Sequence, residues 1–337
     1  MDTRGTRSGG RTAEADRVRG IGRRAVWASA AAVLVAGAGG WIGLSDGSGP
    51  GAGRPTAQAS PQAALRARLD LPWPEEGQAS VAVEGVGSLG VSGGREPVPI
   101  ASVAKVMTAY QILRDHPLRA GEDGPEITVD ETAAQESHSL SESAAPVRQG
   151  QRLTQRKLLE LLLLPSGNNV ARLLARWDAG SEEAFVARMN RTAASLGMTR
   201  TRYTGASGLE ATTRSTAEDQ LTLARRAMEQ PVLREVVAMR ETTVPGHPGP
   251  LANTNRLLDE PGVIGLKTGS STPAGGNLMW AAEVGSGAAR HLVLGVVLGQ
   301  RAHTSPAEGL RAALERSGRL VDALRRDLPS ALAEVRS

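Results

Sequence analysis

The sequence predicts an α+β fold, with one antiparallel sheet drawn from both chain ends and a helical subdomain inserted between. Three observations carry this reading. Short Val- and Ala-rich runs, Gln78 to Val83 and Ser88 to Ser92, stand around a glycine turn near the start of the foldable sequence. Comparable runs recur at 240–244, 263–268, 277–284 and 291–298. The apolar residues between these two groups are spaced three and four apart, the period of helices. No internal repeat is present, so a single domain in which terminal strands share a sheet is the natural assembly.

The chain begins with a basic stretch, residues 1–24, holding seven arginines against three acids. Residues 25–44 then run for twenty positions without a charge, long enough at 1.5 Å rise to match the roughly 30 Å hydrocarbon core of a bilayer. Arginines before this segment and none directly after it predict a cytoplasmic tail and a transmembrane signal-anchor. Ala36-Gly37-Ala38 offers a signal-peptidase site as the alternative, which would release the rest. Residues 45–62, rich in Gly, Pro and Ser, read as a flexible linker. The domain proper is expected over 63–330.

Within it, Ser102 to Arg114 has an apolar face of Val103, Val106, Met107, Tyr110 and Leu113 and predicts a helix. Ile127-Thr128-Val129 predicts a short strand, and 130–150 reads as polar and irregular, by default a solvated loop, with an active-site flap lined by Glu131, Glu136, His138 and Glu142 as the alternative. Leu153 to Leu164 predicts a strongly apolar helix, broken at Pro165-Ser166-Gly167 before a second from Asn169 to Trp177. Further helices are expected near 182–196, 215–229 and 306–327.

Charge excludes one class of function. The formal net charge is +4, and all of it lies in residues 1–24; the remainder has 32 basic and 32 acidic residues. A neutral domain gives no electrostatic ground for nucleic acid as a partner. Zero cysteines exclude disulfides and thiolate metal sites. The five histidines show no metal-ligand pairing, so no cofactor is expected. Gly85-Val86-Gly87-Ser88-Leu89-Gly90 has dinucleotide-binding spacing, but it lies between two strand signals with no helix after it and reads as a hairpin turn.

Of 39 basic residues only three are lysine: Lys105, Lys157 and Lys267. Arginine cannot lose its proton in a protein, whereas a desolvated lysine can. Lysines kept in so arginine-biased a chain are therefore candidates for amine chemistry. Lys157 precedes an apolar run and reads as a solvated helix residue. Lys105 lies three residues after Ser102, which puts both on one helix face near a helix start, where the macrodipole favours developing negative charge. A neutral Lys105 would serve as base for the Ser102 hydroxyl, with Lys267 as the cation that lowers its pKa. Lys267-Thr268-Gly269 follows the apolar run Val263 to Leu266 and is placed on a strand edge, where an extended peptide could add hydrogen bonds. Each fragment alone has a bland reading: a capping serine, an interhelical turn at Ser166-Gly167-Asn168, a lysine beside a turn. Their order, the use of two rare lysines, and their contexts of helix start, turn and strand reverse that judgement.

The chain resembles the low-molecular-mass penicillin-binding proteins, specifically the serine-type D-alanyl-D-alanine carboxypeptidases. The similarity runs over roughly residues 75–300: Pro99 to Ala109 around Ser102, Leu161 to Asn169 around Ser166-Gly167-Asn168, Met189-Asn190 through Thr199, Ser207-Gly208-Leu209, Asn253-Thr254-Asn255, and Gly262 to Gly269. The resemblance implies the penicillin-binding/β-lactamase-like transpeptidase fold. It implies that Ser102 is acylated by the penultimate D-Ala of a peptidoglycan stem peptide, that Lys105 is the general base, and that Ser166 and Asn168 complete the proton network. It further implies that Lys267, Thr268, Gly269 and Ser270 hold substrate, with backbone N–H groups of Ser102 and Ser270 as oxyanion hole, and that β-lactams act as covalent inhibitors. Arg214 stands where relatives often carry a histidine and receives no role. Seventy residues follow Lys267, too few for the family's separate C-terminal β-domain. Two other functions are weighed: a β-lactamase of the same superfamily, for which Glu210 would be the added base, and a non-catalytic wall-binding or β-lactam-sensing module.

Overall fold

A computed structural model of the chain describes residues 61–336. The basic tail, the apolar segment 25–44 and nearly all of the linker lie outside the described residues. Among the described residues no helix is long and apolar enough to cross a membrane. Helix α1, Pro61–Arg68, starts inside the stretch read as linker. It is followed by β1 (Gln78–Val83), β2 (Gly87–Gly93) and the two-residue β3 (Val98–Pro99). A 3₁₀ turn, Ala101–Ala104, leads directly into α2, Lys105–Asp115.

The helical subdomain comprises β4 (Glu126–Thr128), α3 (Glu131–Glu136), β5 (Arg152–Thr154), α4 (Gln155–Leu163), α5 (Asn168–Ala179), α6 (Glu182–Ser195), β6 (Arg214–Ser215), α7 (Ala217–Met228) and α8 (Pro231–Val237). Side chains of Asp130, Thr154, Ser181 and Thr216 accept from the first-turn N–H groups of α3, α4, α6 and α7, each cap contributing about 1 kcal/mol. The chain then returns through β7 (Glu241–Thr242), β8 (Leu251–Ala252), β9 (Val263–Ser271), β10 (Gly275–Val284), β11 (His291–Gln300) and α9 (Pro306–Arg336).

The sheet has the order β2-β1-β11-β10-β9, every neighbouring pair antiparallel, so strands from both chain ends meet at β1 and β11. Alternation along the strands divides the core between its two faces. Met279 and Ala281 of β10 and Leu294 and Val296 of β11 face the helical subdomain. Leu278, Trp280, Val293 and Val297 face α1 and α9, meeting Leu65, Leu320, Val321 and Leu324. Helix α9 approaches so closely that a Cβ on Gly276 would stand 1.8 Å from the carbonyl oxygen of Gly309, which is why both positions are glycine.

Differences from the sequence expectations include three helices. Helix α3 stands in the stretch read as irregular; it is a six-residue helix capped by Asp130, too short for periodicity to show. Helix α8 was absent from the sequence reading altogether. Helix α9 passes Pro329 and continues to Arg336, because Leu328, Ala331 and Leu332 extend its apolar face onto the sheet and offset the lost hydrogen bond.

Candidate active site

The site is assembled where the start of α2, the turn between α4 and α5, and the edge strand β9 converge. Ser102 sits in the 3₁₀ turn rather than in an α-helix. With three residues per turn, positions i and i+3 eclipse, so Lys105 lies directly over Ser102. Its Nζ donates to or accepts from Ser102 Oγ at 2.9 Å, and it donates to Asn168 Oδ1 at 2.5 Å and to the Ser207 carbonyl oxygen at 2.8 Å. The last two partners can only accept. A neutral amine has two N–H bonds and one lone pair; the N–H bonds satisfy Asn168 and Ser207, and the lone pair is left for the Ser102 hydroxyl proton.

Electrostatics favours that neutral form. Complete burial pushes the Lys105 pKa well below the ordinary lysine value, and the nearby charges of Lys267 and Arg172 push it further, against Glu142 and Glu210. Lys267 is also fully buried, and burial lowers it to about 7. It forms no ion pair among the described residues, and its only side-chain hydrogen bond there is a long one, 3.5 Å, to Thr268 Oγ1. Thr268 in turn shares a 2.6 Å hydrogen bond with Thr254, whose N–H bonds the Leu164 carbonyl at 3.1 Å and so ties β9 to the end of α4.

Gly269 explains how the strand reaches the nucleophile. A Cβ there would lie 2.9 Å from Ser102 N and 2.8 Å from Val103 N, closer than side chains pack. Because β9 is the last strand of the sheet, its outer edge is open to an added peptide strand. Ser270 and Ser102 line the same cleft of about 580 Å³, together with Asn168, Glu142 and Gly208. The large hydrophobic side chains most exposed among the described residues, Leu140 and Leu209, also line it. Apolar groups kept at the mouth of a polar cleft mark a surface that takes a partly aliphatic ligand.

Ser166 stands in the turn between α4 and α5, where the sequence places it. It occupies the left-handed region, φ 66°, in the turn before α5, and its buried hydroxyl bonds to no described residue. Of the two residues expected to complete the proton network, Asn168 bonds Lys105 directly, and Ser166 makes no hydrogen bond to it.

Sequence reasoning missed part of the supporting set. Glu142, which the sequence offered as an active-site flap residue against a default of solvated loop, accepts from Asn168 Nδ2 at 2.6 Å and from Arg172 at 2.6 Å, while Arg172, which the sequence did not single out, also donates to Glu136 at 3.0 Å. Burial alone would raise the Glu142 carboxyl, but the hydrogen bonds from Arg172 and Asn168 outweigh it and hold the group below its ordinary value. Asn169 fastens the same stretch by bonding the N–H and carbonyl of Ala145 and the carbonyl of Ala133. The doubled asparagine at 168 and 169 was the available signal. Glu210 is turned back against Gly205, where a Cβ would stand 2.1 Å from its carboxylate, and it does not line the cleft.

A serine beside a buried lysine, at the open edge of an antiparallel sheet covered by helices, defines a serine hydrolase of the penicillin-binding fold. The sequence profile of the D-alanyl-D-alanine carboxypeptidase family, Peptidase_S11, matches residues 92–301, and the chain belongs to that family. Among solved structures, the Streptomyces K15 DD-transpeptidase is similar with a TM-score of 0.64 and 26% identity over 74% of this chain and 98% of that one. The D-alanyl-D-alanine carboxypeptidase of Mycobacterium tuberculosis H37Rv gives 0.62 and 29% over 75% and 93%. In sequence, D-alanyl-D-alanine carboxypeptidase DacB2 of Mycobacterium tuberculosis is 38% identical over 159 residues, 45% of this chain and 53% of that protein. A D-alanyl-D-alanine endopeptidase of Pseudomonas aeruginosa is 33% identical over 224 residues, 65% of this chain and 70% of its own length. The match therefore spans about half the length of the first relative and more than two thirds of the second.

Proposed function

We propose that the protein is a membrane-tethered D-Ala-D-Ala carboxypeptidase that removes the terminal D-Ala from peptidoglycan stem peptides through an acyl-enzyme on Ser102. The observation that carries this is the three-way bonding of Lys105, which leaves its lone pair for the Ser102 hydroxyl. Lys105 takes the Ser102 proton as Oγ attacks the penultimate D-Ala carbonyl carbon. Backbone N–H groups of Ser102 and Ser270 receive the oxyanion, and the proton passes to the leaving nitrogen as the C–N bond breaks. Free D-Ala departs. A water, deprotonated by Lys105, then attacks the ester carbonyl; the C–Oγ bond breaks, the trimmed peptide leaves as its carboxylic acid, and the proton on Lys105 returns to Ser102 Oγ. Lys267 and Thr268 hold the terminal carboxylate, and β9 aligns the peptide backbone. Tethering rests on the uncharged run 25–44 behind its arginines.

β-Lactams would acylate the same serine and leave slowly. The β-lactamase reading is disfavoured by Glu210, which packs against Gly205 and supplies no base at the cleft. A second reading, cleavage of D-Ala cross-links, is favoured by the Pseudomonas relative, an endopeptidase matched over 70% of its length.

The test is intact mass over time with benzylpenicillin, followed by D-Ala release from a stem pentapeptide and from a cross-linked dimer. A persistent single adduct and D-Ala release, both lost in Ser102→Ala, are expected. Release unchanged in Ser102→Ala would overturn the reading.

A further inference from the structure

Outside the catalytic cleft the domain carries a second groove, of about 500 Å³, that shares no lining residue with it. Three of its lining residues are arginines, Arg200, Arg202 and Arg214, set among threonines that include Thr199 and Thr212. Arg202 and Arg214 are partners in an antiparallel bridge, exchanging both main-chain hydrogen bonds at 2.8 and 2.9 Å. Such partners stand about 5.5 Å apart at Cα with side chains on one face, where like charges oppose each other.

None of the three arginines forms an ion pair among the described residues, although most other arginines of the domain do. Arg200 and Arg214 donate to the neutral carbonyls of Arg95 and Pro97, and Arg202 makes no side-chain hydrogen bond. Glu96, the one carboxylate lining the groove, pairs with none of them, and Arg95 beside it is engaged at 3.8 Å with Glu218. Three exposed guanidiniums beside one unpaired carboxylate leave the groove with an excess of positive charge.

We propose that this groove binds phosphate esters of a polyanion. Guanidinium forks match phosphate oxygens bidentately, and neighbouring hydroxyls can donate to the same groups. One carboxylate would satisfy a single fork; three forks along an open groove suit a chain of repeating phosphates. The ligand lies against β6, whose Arg214 also pairs with Pro99, two residues before the nucleophile turn. Binding there would hold the domain, and with it the cleft, against a phosphate-bearing polymer.

The experiment uses the full chain and two probes. A glycerol phosphate oligomer is titrated by calorimetry, and phosphatidylglycerol vesicles are compared with phosphatidylcholine vesicles by flotation. Because Arg202 makes no side-chain bond, Arg202→Ala and Arg202→Glu leave the fold intact, which thermal melting checks. Saturable, salt-sensitive binding is expected, weakened roughly tenfold in Arg202→Ala and further in Arg202→Glu. Arg202→Lys should retain only part of it. Variant-sensitive binding to the oligomer supports the polymer, and variant-sensitive binding to anionic vesicles alone overturns it in favour of a lipid headgroup. Equal binding by wild type and Arg202→Glu, or no binding to either probe, overturns the proposal.

Discussion

Lys105 Nζ lies 2.9 Å from Ser102 Oγ, and its two remaining bonds go to Asn168 Oδ1 and the Ser207 carbonyl, groups that can only accept. Protonation would leave the lysine without a lone pair and the serine without a base. Lys105→Met should therefore lower the rate of acylation by benzylpenicillin by about 10²–10⁴-fold, the usual contribution of a general base. A stopped-time mass assay reads this directly. Wild-type acylation in a folded variant would remove Lys105 from the mechanism.

Lys267 sets a pH window with a definite sign. Its pKa falls to about 7 in the folded protein, from an ordinary value of 10.5. In the role proposed for it the charged form grips the substrate carboxylate, so kcat/KM for a stem pentapeptide should decline as pH rises through about 7. Stability runs the other way. Below about 7 both folded and unfolded chains hold the proton and the cost of burying the ammonium is fully present. Between about 7 and 10.5 only the unfolded chain holds it, so that cost fades and stability rises with pH. Lys267→Met should gain more stability over wild type at pH 6 than at pH 9, measured as urea midpoints. An equal gain at both would contradict the assignment.

Glu142 and Arg172 act on Lys105 with opposite sign. The Glu142 charge raises its pKa and the Arg172 charge lowers it. Glu142→Gln keeps a hydrogen-bond acceptor for Asn168 and should move the acid limb of the acylation profile to lower pH. Arg172→Met should move it to higher pH. A purely structural role would change amplitudes in both variants without displacing either limb.

Gly269 keeps β9 against the nucleophile turn. Gly269→Ala places a methyl 2.9 Å from Ser102 N, and overpacking of this kind costs about 1–3 kcal/mol. The strand must shift away from Ser102, so acylation should slow at least as much as the melting temperature falls. Unaltered acylation would show that the strand has slack the structure does not display.

Much of this was legible before any coordinates. Strand runs such as Gln78 to Val83 and 277–284 announced themselves by composition, and α5 and α6 by periodicity. The motif residues stood out through the rarity of lysine. What stayed hidden was short or polar. Helix α3 has six residues, less than two turns, and leaves no periodic trace. Glu142 sits among serines and looks solvated, since nothing local foretells that Arg172, thirty positions on, will bury it.

By itself the sequence determined the chemistry on offer: one serine three residues from a lysine, a second rare lysine on an apolar strand, and a neutral domain. Those depend on residue identity and on spacing within single elements, which local sterics and periodicity govern. Tertiary structure alone decided which groups meet. It filled the three positions around Lys105 Nζ with Ser102, Asn168 and Ser207, left Ser166 outside that set, turned Glu210 toward Gly205, and gathered Arg200, Arg202 and Arg214 along one groove. Hydrogen bonds have fixed valence, and burial alters charge only where separate segments close over a group. Neither condition exists until the chain has packed.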